Sequence, residues 1–368
     1  MTGPRFRLGR FVSWTVAVVA LAFVAWIIPI RDRCYDPLAP TSTRAAISRN
    51  AAGCTLYLHS GEVEIPSAEC DRLVCEPGVV TTFGHARLGV LSFLLALYGF
   101  GTWFWAARWR ALLSFAGLEL RTTEVWRLTI EAQAGGVLLP GGVGGDAFRV
   151  AGVLARPVRP GQARAPVSIV VASVMLDRAI GLSLIAAFAA VMGLASGGAS
   201  RPLVATLAGI PLMFAAALGA LRQSWAISAL SSSVRLRRIF EPVLVYLRHP
   251  LALRAIAVAT GFGLVNAAVQ FVVIRGLVFA LGYTPSTEGW VYVGTAMAFI
   301  VAAIPALPGG WGTADAAYVF FFGFAGLPKG VALAVSLLFR LFWYLSAVVG
   351  AILHLSGARP PTGLRAST

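Results

Sequence analysis

Charge is scarce in this chain and unevenly divided. Of 368 residues only 12% are charged, and Lys plus Arg outnumber Asp plus Glu by 30 to 15. Lysine is nearly missing, with Lys329 the single instance. No glycine-rich loop ends in lysine, which excludes a P-loop nucleotide site. The histidines, His59, His85, His249 and His354, stand far apart. They form no HExxH pair, no zinc-finger spacing and no Ser-His-Asp order. A composition that is 58% hydrophobic with so little charge also excludes a soluble globular domain. The net charge of +15 would raise nucleic acid as a partner in a soluble protein. Here the arginines fall between apolar runs and build no continuous basic face, so nucleic acid is not expected. No metal site and no cofactor are expected either.

What the chain has instead is long apolar runs, at about 11–30, 88–107, 165–193, 202–219, 255–282 and 330–355. Each is long enough to span a bilayer as a helix. The first has a basic start (Arg5, Arg7, Arg10), but its core is long and its exit, Ile28-Pro29-Ile30-Arg31, offers no small-residue cleavage site. It reads as a retained helix and not as a signal peptide. Arginine-rich connections near 108–121, 156–164 and 222–248 are expected on the cytoplasmic side, whereas 194–200 and 283–289 hold no Lys or Arg. This arrangement predicts a multi-pass protein of a bacterial inner membrane with both termini cytoplasmic.

The segment 31–87 is polar and is expected outside the cytoplasm. It holds six arginines against seven carboxylates, and all four cysteines, Cys34, Cys54, Cys70 and Cys75. An even cysteine count in so short a segment points to two disulfides, with three pairings open. Thr55–His59 and Glu62–Ile65 alternate apolar and polar about Ser60-Gly61, which predicts a hairpin. The chain therefore divides into 1–30 (arm and first helix), 31–87 (cysteine insert), 88–355 (transmembrane domain) and 356–368 (tail).

One phrase occurs twice inside apolar sequence. Leu139-Pro140-Gly141-Gly142-Val143-Gly144 returns as Leu307-Pro308-Gly309-Gly310-Trp311-Gly312, followed by Asp146 and Asp315 respectively. Proline removes a backbone donor and glycine disfavours helix, so the whole phrase is expected to be non-helical. Such backbone at membrane depth requires protein or water around it, and paired breaks in two halves point to a transport site. The stretches 124–155 and 290–328 are predicted to be re-entrant helical hairpins entering from opposite faces, an inverted repeat, with a full crossing as the alternative, above all for the longer first limb of the second. The fold class is thus all-α, with about six spanning helices, two oppositely oriented hairpins and a disulfide-stapled insert. The helix after each break aims its N-terminus at mid-membrane, where an anionic headgroup fits.

Charges at mid-membrane cost about 2.5–3.5 kcal/mol each, so each needs a partner or a role. They are Glu131, Asp146, Arg149, Asp177, Arg178, Arg275, Asp315 and Arg340. Arg149 shares a helix face with Asp146, while Asp177 and Arg178 diverge by about 100° and must serve different partners. Arg178 and Arg340 occupy comparable places after the two breaks, and cross-half pairs, Arg340 with Asp146 or Arg178 with Asp315, would neutralise both halves. Arg275 is expected to snorkel. Asn266 and Gln270, one turn apart, are expected to bond across helices.

The run Leu138–Arg149 resembles the "LPG..GGD..R" signature of flippase-like membrane proteins, which include the transmembrane region of lysylphosphatidylglycerol synthases. Ala172–Leu182 is similar to that family's "S...DR..GL" segment and Pro308–Asp315 to its "PGG.G..E" segment, with Arg340 at its late arginine. Asp315 stands where the family usually has Glu, and the insert 31–87 is longer than the usual connection. The resemblance covers about 88–355. It implies translocation of an anionic or aminoacylated phospholipid, a polyprenyl-linked glycan or a hopanoid-type lipid. The binding set would be Pro140, Gly141, Gly142, Gly144, Gly145, Asp146, Arg149, Asp177, Arg178, Pro308, Gly309, Gly310, Gly312, Asp315 and Arg340. Its partners would be membrane lipids and a separate enzyme that makes the lipid. Two other functions fit the pattern: an embedded transferase acting on a lipid phosphate, and a non-transporting scaffold for a lipid synthase.

Overall fold

The computed structural model of the chain describes residues 32–35, 45–50, 53–58, 61–66, 73–115, 118–138, 143–155, 166–221, 223, 243–244, 246–247, 251–303 and 310–357. The first apolar run, 11–30, lies outside them, as do Cys70 and the residues Leu139–Gly142 and Leu307–Gly309 of the repeated phrase.

The insert is a five-stranded antiparallel sheet, which makes the chain more than an all-α protein. Its strands are β1 (Arg33–Tyr35), β2 (Ala45–Asn50), β3 (Gly53–Leu58), β4 (Gly61–Pro66) and β5 (Val74–Glu76). They run in the order β4-β3-β2-β1-β5. The hairpin expected from alternation is β3–β4, with Leu58 opposite Gly61 and Leu56 opposite Val63. The short strands β1 and β5 have too few residues to show a period of two. Cys34 pairs across from Cys75 in the register of these strands, and the two are joined as a disulfide. The pairing left open by the sequence is therefore fixed for these two cysteines.

Ten helices follow among the described residues. They are α1 (Val79–Gly84), α2 (Leu88–Phe115), α3 (Thr122–Leu138), α4 (Val143–Leu154), α5 (Val167–Ser196), α6 (Arg201–Ala220), α7 (Ala252–Ala280), α8 (Glu288–Ala303), α9 (Thr313–Phe324) and α10 (Lys329–Gly357). Five of them, α2, α5, α6, α7 and α10, are long and apolar enough to cross a membrane. They coincide with five of the six expected runs. The remaining helices of the repeated regions are shorter: α3 has 17 residues, α4 12, α8 16 and α9 12. At 1.5 Å per residue these rise about 26, 18, 24 and 18 Å, less than the hydrocarbon thickness of about 30 Å.

Local sequence accounts for several ends. Pro166 takes an extended conformation just before α5, and Gly197 closes that helix at φ 69°. Pro202 sits in the first turn of α6, where its missing N–H has no intrahelical partner to lose. The repeated phrase differs from its expectation in one respect. Helix α4 already begins at Val143, so Val143 and Gly144 are helical. A first turn leaves its N–H groups unpaired in any case, which lowers the cost of glycine there. In the second copy the helix begins only at Thr313, after Gly312 at φ 75°, a conformation that favours glycine.

Helix packing has an exchange pattern. Long helix α2 packs on α7, and the short pairs α3–α4 and α8–α9 each pack within themselves. Short helix α3 lies against the last long helix α10, and α8 lies against α5. Exchanging α2 with α7, α3 with α8, α4 with α9 and α5 with α10 therefore maps these contacts onto one another. The α3–α10 contact is intimate at Gly350, where a Cβ would stand 2.1 Å from the Ile130 carbonyl oxygen.

Candidate functional site

A cavity of about 350 Å³ lies where the two short helix pairs meet the long helices. Its wall takes residues from α2, α3, α4, α5, α7, α8, α9 and α10, so both halves of the chain build it. Much of the lining is apolar, including Leu182, Ile185, Phe299, Phe339 and Trp343. Set into that lining are charged groups arranged in three clusters.

The deepest cluster centres on Asp177, whose position on α5 turns it away from its neighbour Arg178. Arg108 Nε donates to Asp177 Oδ1 at 2.6 Å, and Arg149 Nη1 and Trp105 Nε1 donate to Oδ2 at 3.0 and 3.2 Å. Asp177 is 1% exposed, Arg149 2% and Arg108 5%. The Arg149 guanidinium also lies over Trp105 and Trp109, 4.6 and 4.9 Å from the ring centroids. Trp109 is held in turn by its donation to Ser173. Arg108 reaches Asp177 through a slot between two glycines. A Cβ on Gly181 would meet its Nη1 at 2.9 Å, and one on Gly263 its Cδ at 3.1 Å.

The second cluster is the ion pair of Arg178 Nε with Asp146 Oδ2, in the first turn of α4. It is the most open of the three, with side chains 36% and 25% exposed. The third is buried. Asp315 accepts from Arg340 Nη2 at 2.8 and 2.9 Å and from Ser336 at 2.6 Å. As the third residue of α9, Asp315 also accepts the Gly312 backbone N–H at 2.9 Å, the reciprocal half of a capping box. Arg340 is covered by the Trp311 ring at 4.1 Å, and Trp311 donates to Tyr344.

The pairing differs from the cross-half scheme in both instances. Arg178 meets Asp146 and Arg340 meets Asp315, each within its own half. The reason is packing: α4 lies on α5 and α9 on α10, so each restarting helix delivers its aspartate to the adjacent arginine. Arg149 likewise bridges to Asp177 and not to Asp146, three residues back on its own helix. Arg275 does not stretch toward solvent alone but makes a two-nitrogen contact with Glu288 at 2.6–2.9 Å. Glu131 accepts from Arg127 one turn earlier.

Of the expected binding residues, Gly145, Asp146, Arg149, Asp177, Arg178 and Arg340 line the cavity. Asp315 holds Arg340 from behind the wall, and Gly144, Gly310 and Gly312 do not reach it. Pro140, Gly141, Gly142, Pro308 and Gly309 lie outside the described residues. Among the wall residues outside the expected set are Arg108, Trp105, Gln133 and Ser336. Arg108 counts among the connection arginines by sequence, but α2 continues to Phe115 and carries it inside. The spacing Trp105, Arg108, Trp109 places all three on one helix face and was the available signal.

Four arginines (108, 149, 178, 340) stand against three aspartates (146, 177, 315), leaving one positive charge in surplus at the Asp177 cluster. Three carboxamides also stand in the wall: Gln133, Asn266 and Gln270. Their expected interhelical bonds are incomplete. Among the described residues, both side-chain polar atoms of Gln133 and the oxygens of Asn266 and Gln270 have no hydrogen-bond partner.

Comparison with known proteins places this geometry. The family model described as the lysylphosphatidylglycerol synthase TM region matches residues 78–350, which is more than half of the chain and contains every cluster above. No curated protein and no solved structure matches.

Proposed function

The chain belongs to the family of the lysylphosphatidylglycerol synthase transmembrane region, and we propose that within it this protein is a flippase-like lipid transporter. It is a multi-pass membrane protein of a lipid-related family. The observation that carries the reading is the cavity: a polar chamber inside an apolar helical body, walled by both short helix pairs and holding four buried or half-buried arginines. Buried charges this costly are kept in membrane proteins for substrate paths.

In this reading α3–α4 and α8–α9 are hairpins that enter from opposite faces and do not cross, which their rises of about 26, 18, 24 and 18 Å support. The exchange pattern of helix contacts supports an inverted repeat, the architecture in which a site at the repeat interface is exposed to each face in turn. A lipid headgroup enters the chamber while its chains stay in the bilayer. Its phosphate is held by Arg149, Arg178 and Arg340, and Asp146, Asp177 and Asp315 keep those guanidinium groups oriented. The membrane is the bacterial inner membrane, the sheet of residues 31–87 lies outside it, and a separate enzyme supplies the lipid.

The test is transfer of a fluorescent phospholipid between leaflets of vesicles containing the purified protein, read by quenching from outside. Arg340→Ala and Asp146→Ala each remove a charged hydrogen bond worth about 1.5–3 kcal/mol, so transfer should slow about tenfold or more. Wild-type rates from both correctly folded variants would overturn the site.

A further inference from the structure

The seam between α3 and α10 ends in a charged cluster that does not line the cavity. Glu131 on α3 is 7% exposed, and its two oxygens face different partners. Arg127 Nε donates to Oε1 at 2.6 Å, and Arg127 Nη2 donates to the Leu353 carbonyl of α10 at 2.6 Å. Oε2 stands 3.4 Å from His354 Nδ1, also on α10. The His354 ring meets Phe148 of α4 edge to face, with centroids 5.1 Å apart. Three helices, α3, α4 and α10, are therefore joined at one point. The charges of α4 are engaged elsewhere, Asp146 with Arg178 and Arg149 with Asp177. Those of α2, α7 and α9 that form ion pairs, Arg108, Arg275 and Asp315, likewise meet Asp177, Glu288 and Arg340. Among the described residues, Glu131 is the ion partner of His354, and Arg127 is the other ion partner of Glu131.

The corresponding seam, α8 on α5, is built differently. A Cβ on Gly289 would collide with the Gly197 carbonyl oxygen and stand 3.3 Å from that of Gly193. The neighbouring carboxylate, Glu288, bonds Arg275 on α7 instead. One seam is thus closed by backbone contact, which pH does not alter, while the other ends on an imidazole. A histidine takes up a proton near about pH 6.5 in water. Unprotonated, it brings no charge and donates from Nδ1 in one tautomer alone. Protonated, it gives the buried Oε2 a charged donor. The negative end of α10, whose last turn His354 occupies, favours the same state. The tie is therefore strong at acid pH and weakens as pH rises through the imidazole range.

We propose that Glu131 and His354 form a proton-operated latch that holds the end of α10 on α3 and α4, with Arg127 as its permanently charged member. About three turns back along α10, Trp343 packs on Gly136 of α3 and lines the cavity, and Arg340 lies about one turn further. The seam carries the state of the latch to the cavity wall: acid clamps α10, and a rise in pH loosens it. This depends on the packing of α10 on α3 and not on the transport reading.

Hydrogen–deuterium exchange of the full chain in detergent tests it, at about pH 5.5 and about pH 8, either side of the imidazole range. Each rate is divided by the intrinsic amide rate at that pH. The His354 side chain is 53% exposed, so the effect is that of a screened pair. Amides of 350–357 should exchange about threefold to fivefold more slowly at the lower pH. His354→Gln, which leaves a half-exposed site, should exchange at the faster rate under both conditions. Glu131→Gln should also abolish the difference. The segment 288–296, at the seam of α8 with α5, should not respond. Equal protection of 350–357 at the two pH values, a difference that persists in His354→Gln, or an equal response of 288–296 would overturn the latch. An exchange difference that depends on His354, in a chain that moves no lipid at either pH, would end the transport reading and leave the latch standing.

Discussion

Asp177 is the charge on which the interior of the site depends, and replacing it has a calculable consequence. It accepts from Arg108 at 2.6 Å, from Arg149 at 3.0 Å and from the Trp105 indole at 3.2 Å, with 1% of its surface exposed. Asp177→Ala takes from two buried guanidinium groups the carboxylate that they share. Removing one partner of a buried ion pair costs about 3–5 kcal/mol, and here a single change strips two cations at once. Arg149→Met is the informative contrast. It leaves Arg108 and Asp177 as a neutral pair and fills similar volume. What it loses is one charged hydrogen bond and two ring contacts of about 0.5–2 kcal/mol each, offset by removal of a surplus buried charge. The expected order of stability is wild type, then Arg149→Met within about 2 kcal/mol, then Asp177→Ala well below. Fluorescence-monitored melting of detergent-purified protein reads this order directly. The double change Asp177→Ala with Arg149→Met should recover part of the loss, because only one stranded cation remains. If Asp177→Ala melts with the wild type, or below it by less than Arg149→Met does, the claim that Asp177 neutralises a buried pair is wrong.

Gly350→Ala would drive a methyl to 2.1 Å from the Ile130 carbonyl oxygen, so α10 and α3 must separate, with a loss of about 1–3 kcal/mol visible as a lower melting temperature. Ser336→Ala removes the 2.6 Å donor to Asp315 while leaving Arg340 in place, and should cost about 1–3 kcal/mol in the same melt. Cys34→Ser opens a disulfide spanning 41 residues, which should destabilise the sheet by about 3–4 kcal/mol, measured as faster proteolysis of 31–87. Lipid transfer in vesicles should survive that change, since no described residue of the sheet lines the cavity.

How much of this was legible follows from what each signal measures. Apolar runs report span length, and the five long helices were readable for that reason, to within a turn at most ends. The two copies use their aspartates differently: Asp315, third in α9, bonds the Gly312 N–H, whereas Asp146, fourth in α4, pairs with Arg178. Alternation gave the β3–β4 hairpin but not β1 or β5, whose three residues each carry no period. The divergence of Asp177 and Arg178 was legible from helix geometry, whereas their partners were not. Which aspartate meets which arginine depends on the packing of α4 on α5 and α9 on α10, a tertiary fact absent from local sequence. Arg108 was misplaced because a charge near a helix end looks like a topology signal, although its spacing from Trp105 and Trp109 puts it on the inward face where it meets Asp177.

The exchange of contacts between halves constrains how such a body could move. Helix α10 leans on α3, and α8 leans on α5, so each short pair is tied to a long helix from the opposite end of the sequence. A hinge separating first half from second would tear both seams, including the close backbone approach at Gly350. The mechanical pieces are therefore mixed: α3, α4 and α10 form one block, and α8, α9 and α5 the other. Between the two blocks run the α4–α5 and α9–α10 contacts, the two lines where Asp146 grips Arg178 and Asp315 grips Arg340.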